Sequence, residues 1–533
     1  MVPLSVRFSS FLEGDNLGVF SGLSPFFYVA ISIQVLFLGW NLRSGRSPST
    51  INLLTVLLPQ AAILAVGFLV GGLGSSSSDV TDFMYYYAVI QHVVHNGLGS
   101  IVLSSGQAGW WPSATAFHAV LFVVTGLTGN QIVPALVVSR IIYGLFDTTL
   151  VFVAVRAFKP ATNALPVCAA LLYAVGDYFV PAWLQDTAFS YTLFLVLIVY
   201  LIFLKRNGPS KIAVTIIFGA FVLSNLYASV LLLGLVGVDF LIRRDTVTLA
   251  LYLLVLMAWN VLGYPLLYGG SAGAYFISNL LNFHIISSTV SGALMQGSNA
   301  HHLVVLIQVG LVAFFTLGGI AGVLFSRFRN GKDYSVPIST LLLYAGGVTI
   351  VGILAAPGFG NNPIEGLERA FIFVFPLLAI MFATLFRYKS LPILLAIAIV
   401  LVPVTIITTY GGVVPTYVSS QGFVAANFLQ NHWANNKQIA LTFPSYGPTG
   451  GPVAFTNGTI ILDLVQLNLN YSQIMQLPYT TAGPPRVGVF SQTLETNSAV
   501  YAEGGATYLD FESKMYDRVD LVYSNPGTSY YIL

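Results

Sequence analysis

Residues 74–97 read GSSSSDVTDFMYYYAVIQHVVHNG, directly after an apolar run that ends near Gly72. Asp79 and Asp82 therefore stand at the mouth of a hydrophobic segment, in a chain of which only 8% is charged. Asp82 followed by FMYYYAVIQHVV fits a helix N-cap, in which the carboxylate accepts backbone N–H bonds. Capping is compatible with a functional role for the same carboxylate, because binding and catalytic groups concentrate on loops held by a rigid scaffold.

The rest of the composition fixes the setting of that stretch. The 533 residues are 56% hydrophobic and 14% aromatic, with a mean hydropathy of +0.81. A soluble globule carries about 25% charged residues, so the chain reads as a polytopic membrane protein. Its formal net charge of +2 hides a segregation of charge along the chain and gives no reason to expect a nucleic-acid partner. The single cysteine, Cys168, lies inside an apolar run, which excludes an intrachain disulfide and a cysteine-based zinc site. No cleavable signal peptide is expected, because residues 1–24 carry Arg7, Glu13 and Asp15 without an apolar core before a small-residue cleavage site.

Apolar runs approaching or reaching the roughly 17–25 residues that span a bilayer fall at 25–41, 51–72, 131–157, 165–181, 188–204, 212–225, 227–242, 247–267, 303–325, 336–356, 370–386 and 391–409. The pair at 212–225 and 227–242 reads as a tight hairpin turning at Ser224, Asn225 and Tyr227. Basic residues occupy alternate loops: Arg43/Arg46, Arg156/Lys159, Lys205/Arg206/Lys211, Arg243/Arg244, Arg327/Arg329/Lys332 and Arg387/Lys389. Loops rich in Lys and Arg stay in the cytoplasm. The opposite loops hold Asp79, Asp82, Asp186, Glu365 and Glu368, with Arg369 at their edge, and face outward.

The same alternation settles SATAFHAVLFVVTGL at 113–127, which resembles a span. Were it to cross, every later basic loop would be inverted, so residues 73–130 read as one outer loop lying at or dipping into the membrane surface. About twelve spans then place both termini outside. From Tyr410 the chain turns rich in Gly, Pro, Asn, Thr and Tyr, with short alternating strands at 518–523 and 528–533 around an NPG turn. Residues 410–533 are expected to form a small outer α/β domain, and the sequons at Asn457 and Asn470 are compatible with an exterior location.

The order of these pieces resembles the GT-C superfamily of integral-membrane glycosyltransferases, in particular its protein O-mannosyltransferase and aminoarabinose transferase branches. DFMYYYAVIQHVVHNG is similar to that family's first outer loop, with Asp82, Tyr86 and Gly97 at its acidic, Tyr and closing Gly positions. GWWPSATAFHAVLFVVTGL and the following run match its aromatic-Pro start and Arg-bearing next span, the Arg being Arg140. Pro181 and Asp186 fall where the family has a Pro and an acidic residue in its second outer loop, and GLERAFIFVFPLLAI at 366–380 is similar to its late Arg- and Pro-containing span. The likeness is a pattern over about 300 residues rather than one signature. The oligosaccharyltransferase DxE and WWD-type motifs are absent, Trp110-Trp111 being followed by Pro112.

The resemblance implies an all-α membrane domain over 1–409 and transfer of a sugar from a polyprenyl phosphate to an acceptor hydroxyl, glycan, lipid or protein, at the outer face of the plasma membrane. Such a transfer needs a carboxylate base to deprotonate the acceptor and cationic groups for the departing lipid phosphate. Asp82 is the expected base. Asp79 and Asp186 are its alternatives, or helpers that orient the acceptor or hold a divalent cation, Mg or Mn. Arg369 and Arg140 are the expected phosphate ligands, since a guanidinium clamps phosphate oxygens bidentately.

Other readings of these residues stand beside this one. Arg369 follows Glu368 and anchors the outer end of a span equally well. Arg140 can pair with Asp147, seven residues and about two turns further on. His118 and His284 have no evident role, and His301-His302 reads as an interfacial cap rather than a metal site. A secondary transporter would make Asp147, Asp177 and Arg140 pathway residues, and a non-catalytic scaffold with an outer binding domain leaves the outer carboxylates unexplained.

Overall fold

The computed structural model describes residues 23–44, 49–69, 72–75, 123, 125–127, 132–157, 164–177, 186–202, 211–263, 299–328, 338–359, 363–386 and 390–410. Beyond them it describes strands at 417–419, 439–441, 461–463, 487–491, 520–525 and 528–532.

Each apolar run holds one helix. In chain order these are α1 (Pro25–Ser44), α2 (Ser49–Leu69), α3 (Ile132–Ala157), α4 (Ala164–Gly176), α5 (Asp186–Ile202), α6 (Lys211–Val222), α7 (Leu226–Arg243) and α8 (Thr246–Met257). A π-helical turn, Ala258–Gly263, extends α8. There follow α9 (Asn299–Phe328), α10 (Ile338–Ala355), α11 (Pro363–Ala383) and α12 (Leu391–Tyr410). Helices are the expected solution because hydrocarbon offers no partner to a backbone N–H or C=O, and a helix satisfies both internally. By length and composition four are long and apolar enough to cross a membrane: Pro25–Ser44, Leu226–Arg243, His302–Ser326 and Leu391–Thr409. Their outward faces are as apolar as their buried ones. On α1, Phe26, Ile33, Phe37 and Trp40 are exposed while Ile31, Val35 and Leu38 are buried. This is a multi-pass membrane protein.

Several boundaries differ from the sequence reading, each for a local reason. Asp186, expected in a loop, is the first residue of α5, where a carboxylate complements the positive end of the helix dipole. Glu365, Glu368 and Arg369 likewise fall within α11, which Pro363 opens; proline suits a first helical position because its missing N–H has no partner to lose there. The turn between α6 and α7 lies at 223–225, and Tyr227 is already helical. Asn225 caps α7 by accepting from Ala228 N at 2.9 Å, which stops α6 and starts α7 without a longer loop.

The bundle is tied at one end by charges. Lys211 Nζ lies 3.1 Å from Asp245 Oδ2, joining the start of α6 to the N-cap of α8, so two of the basic segments share one end. Beside them Arg243 Nε is 3.2 Å from the buried Asp239, whose Oδ1 also accepts from Tyr344 OH at 2.7 Å. Helices meet closely where glycine permits. A Cβ on Gly234 of α7 would stand 2.7 Å from the carbonyl carbon of Gly347 on α10, and one on Gly322 of α9 would run into the Met381 carbonyl of α11.

The strands form two sheets. β1 (Gly72–Ser75), directly after α2, pairs antiparallel with β2 (Tyr417–Ser419), shortly after α12, with Gly72 opposite Ser419 and Ser75 opposite Tyr417. The second sheet holds β3 (Ile439–Leu441), β4 (Ile461–Asp463), β5 (Val487–Ser491), β6 (Asp520–Asn525) and β7 (Thr528–Ile532). Its order is β4-β3-β5-β7-β6. β3 is parallel to β4 and β5, and β7 is antiparallel to β5 and β6. The β6–β7 pair brackets Pro526-Gly527, with Asn525 opposite Thr528.

Candidate active site

The region that carries buried chemistry lies where α3, α4, α5 and α11 pack together. All thirteen residues of α4 are buried. The helix closes on Gly176, where a side chain would collide with Phe315 and Phe375, and Asp177 follows, 3% exposed. One turn earlier Tyr173 packs its ring 5.6 Å from Phe375. From α5, Tyr191 and Phe194 meet Phe373 at ring separations of 5.7 and 5.0 Å. Phe373 is one turn beyond Arg369 on α11, so the aromatic wall ties the Arg369 helix to the helices that carry Tyr173, Asp177 and Tyr191.

Asp147 is fully buried on α3. Its Oδ1 accepts from Thr192 Oγ1 at 2.7 Å, while Thr192 also reaches Ala188 O at 3.2 Å. Asp177 acts electrostatically on Asp147, and both carboxylates act on Tyr173 and Tyr191. The two aspartates thus share one buried polar region.

Arg369 is half-buried in the second turn of α11. It acts electrostatically on Tyr227 at the start of α7, whose hydroxyl donates to Gly352 O at 3.2 Å. Gly352 in turn receives Ala370 so closely that a Cβ would clash. The guanidinium therefore stands where α7 begins and α10 ends, at the end of the bundle opposite Lys211, Arg243 and Asp245. A half-buried guanidinium there can bind phosphate oxygens while keeping contact with water.

The other expected site residues are located as follows. Asp79 and Asp82 lie outside the described residues, as do Tyr86, Gly97, His118, Pro181 and His284. Arg140 is in α3 and Asp186 opens α5, but their side chains lie outside the described ones. The described partner of Asp147 is Thr192 on another helix. Sequence reasoning missed Tyr143, Tyr173, Tyr191 and Thr192; the available signal was hydroxyl-bearing residues recurring inside runs otherwise apolar, as in LLYAVGD and FSYTLF. Among the described residues no group of three His, Cys, Asp or Glu side chains is placed to hold a metal ion.

No protein-family model matches the sequence, and no curated protein does. Solved structures do. The mycobacterial arabinofuranosyltransferase AftD aligns over 90% of this chain and 39% of its own at 11% identity, with a TM-score of 0.51. The chain has the GT-C fold. The oligosaccharyltransferase of Archaeoglobus fulgidus, solved with Zn and sulfate, aligns over 89% of this chain and 72% of its own at 16% identity and a TM-score of 0.49. ArnT of Cupriavidus metallidurans bound to undecaprenyl phosphate aligns over 91% and 97% at 12% identity and a TM-score of 0.39. At these identities the likeness concerns the fold. Within the GT-C fold of this chain, the half-buried Arg369 and the aspartate region of α3, α4 and α5 are the chemistry-bearing parts among the described residues.

Proposed function

We propose that the chain is a membrane glycosyltransferase that moves a sugar from a polyprenyl-phosphate donor to an acceptor hydroxyl on the outer face of the plasma membrane. The observation that carries the reading is the GT-C fold shared with an arabinofuranosyltransferase. Arg369 at the end of the bundle away from the Lys211 and Arg243 segments supports it. In this reading Asp82 takes the acceptor proton, Arg369 and Arg140 bind the lipid phosphate, and Asp79 and Asp186 orient the acceptor. Residues 410–533 form an outer α/β domain, for which the parallel pairing of β3 with β4 and β5 is the supporting feature, because parallel neighbours need long crossover connections.

The pairing of β1 with β2 supports the assignment of 73–130 to one side of the membrane. It holds the ends of α2 and α12 together, so the number of crossings between them is even. Ten described helices, α3 to α12, lie between. If each crosses, an eleventh crossing by 113–127 alone would put the two strands on opposite sides.

Magnesium or manganese at Asp79 and Asp186 belongs to the same proposal. Neither side chain is among the described ones, and no step is drawn through a metal. The test is to incubate the purified protein with labelled polyprenyl-phosphate hexoses and pentoses and follow release of the lipid phosphate. Release that depends on an added acceptor supports the transferase. No release with any donor, together with ion-coupled solute uptake into proteoliposomes, would favour the transporter reading that the buried Asp147 and Asp177 invite.

A further inference from the structure

We propose that the buried polar cluster around Asp147, at the junction of α3, α4 and α5, is a binding site for a small monovalent cation of the sodium class. The first ground is the number of buried oxygens left without a partner. Asp147 Oδ2 and Tyr143 OH have no hydrogen-bond partner among the described residues, and the two residues are 0% and 8% exposed. A buried polar atom left without a partner costs about 1–3 kcal/mol, more if charged, and unpaired groups of this kind commonly mark a bound water or ion. Tyr143 precedes Asp147 by one turn on α3, so the two side chains lie on the same face of the helix.

The second ground is sign. Asp177 adds its charge to that of Asp147. The carbonyl end of α4, the negative pole of its helix dipole, adjoins Asp177, and carboxylates beside helix carbonyl ends are a recurrent setting for sodium ions in membrane proteins.

The third ground is ligand chemistry. The donors are all oxygen: one carboxylate arm, the Tyr143 hydroxyl and, one helix away, Thr192. Hard oxygen donors without nitrogen or sulfur select alkali and alkaline-earth ions over transition metals. Magnesium demands near-ideal octahedral geometry and retains its waters. A weakly hydrated monovalent ion, by contrast, can use one or two carboxylates with neutral hydroxyls. The ion would offset the repulsion of the two aspartates and hold α3, α4 and α5 together from within. The proposal stands apart from the transferase reading, since its readout is stability rather than turnover.

The test is thermal melting of the purified full-length protein while sodium chloride replaces N-methylglucamine chloride at constant ionic strength, with a parallel potassium series. The expected result is a Tm that rises with sodium by mass action and is unmoved by N-methylglucamine. Asp147→Asn removes the sodium dependence, and Tyr143→Phe shifts the sodium midpoint upward by about 2–10-fold, the loss of one modest oxygen contact. A wild-type Tm indifferent to sodium overturns the site; that is also the result if Arg140, seven residues earlier on α3, supplies the countercharge. Equal dependence in Asp147→Asn overturns it too. So does an infrared carboxylic-acid band, present in sodium and lost in Asp147→Asn, since a proton then occupies the position. Where Asp147→Asn does not fold, an unchanged sodium midpoint in Tyr143→Phe is the overturning outcome.

Discussion

At the scale of single residues, the proposed chemistry divides into a base and a phosphate ligand, and substitutions separate them. Asp82→Asn keeps the shape and most of the capping ability of the side chain but removes its basicity. Transfer is expected to fall by about 10²–10⁴, the usual contribution of a general base, while lipid-donor binding to the purified protein is retained. A larger loss for Asp79→Asn would move the base to that residue, and undiminished transfer in both variants, measured on equal amounts of folded protein, would leave only a capping role for these residues. Arg369→Ala is expected to raise the donor KM, and Arg369→Lys to recover part of it, because an ammonium keeps the charge without the bidentate fork. What was legible here was residue type rather than partnership. An aspartate inside an apolar run announces itself as buried, but the Asp147 hydroxyl partner is 45 residues away on another helix, and no spacing rule within one sequence brings Thr192 to it. The reverse holds for Arg369, whose place at a span edge was readable because its charge interrupts an apolar run beside Pro363 and Glu365.

Elements were far more legible than contacts, because hydrocarbon leaves the backbone one choice. Twelve apolar runs gave twelve helices among the described residues. Their ends shifted where a cap or a first-turn acid favoured helix over loop, as at Asp186 and Pro363. Glycine inside those helices carries no such sequence signal, since it serves both as a packing device and as a weak point. Gly322 and Gly310 lie on the same helix with opposite surroundings: a Cβ at Gly322 meets the Met381 backbone and Thr384, and at Gly310 nothing within 4 Å. Gly322→Leu is expected to destabilise by about 1–3 kcal/mol through overpacking. Gly310→Ala is expected to be neutral or to stabilise by up to about 1 kcal/mol through helix propensity. Thermal melting of the two variants in one detergent checks the pair, and similar shifts in both would contradict the α9–α11 contact. A second element-level expectation concerns Arg244, the one described non-glycine residue with positive φ, at 58°. It closes α7 in the left-handed region, which costs an L residue roughly 1–2 kcal/mol. Arg244→Gly is expected to raise stability by about 1 kcal/mol, while Arg243 keeps its pair with Asp239.

For the whole molecule the decisive contact is a small one. Four residues of β1 and three of β2 pair across more than 340 positions of sequence, and they tie the start of the Asp79–Asp82 loop to the segment that leads into the C-terminal sheet. Hydropathy could not have shown this, because GLGS and YVS carry no strand pattern of their own. The pairing makes a prediction about topology that charge alternation makes independently. Cysteines placed at Gly72 and Ser419, which face each other in register, are expected to form a disulfide under mild oxidation of membranes, and cysteines at Gly72 and Gly208 are not. The native thiol does not confuse the result, since Cys168 is buried within α4. Single cysteines at Ser77 and Thr456 should react with an impermeant thiol reagent in intact cells, and one at Gly208 only after the membrane is opened. If Ser77 and Thr456 label from opposite sides, the β1–β2 pairing and the even count of crossings fail together. If both label only after the membrane is opened, the pairing stands but the outer assignment inverts, and Asp82 loses its place at the face where the acceptor is proposed to arrive.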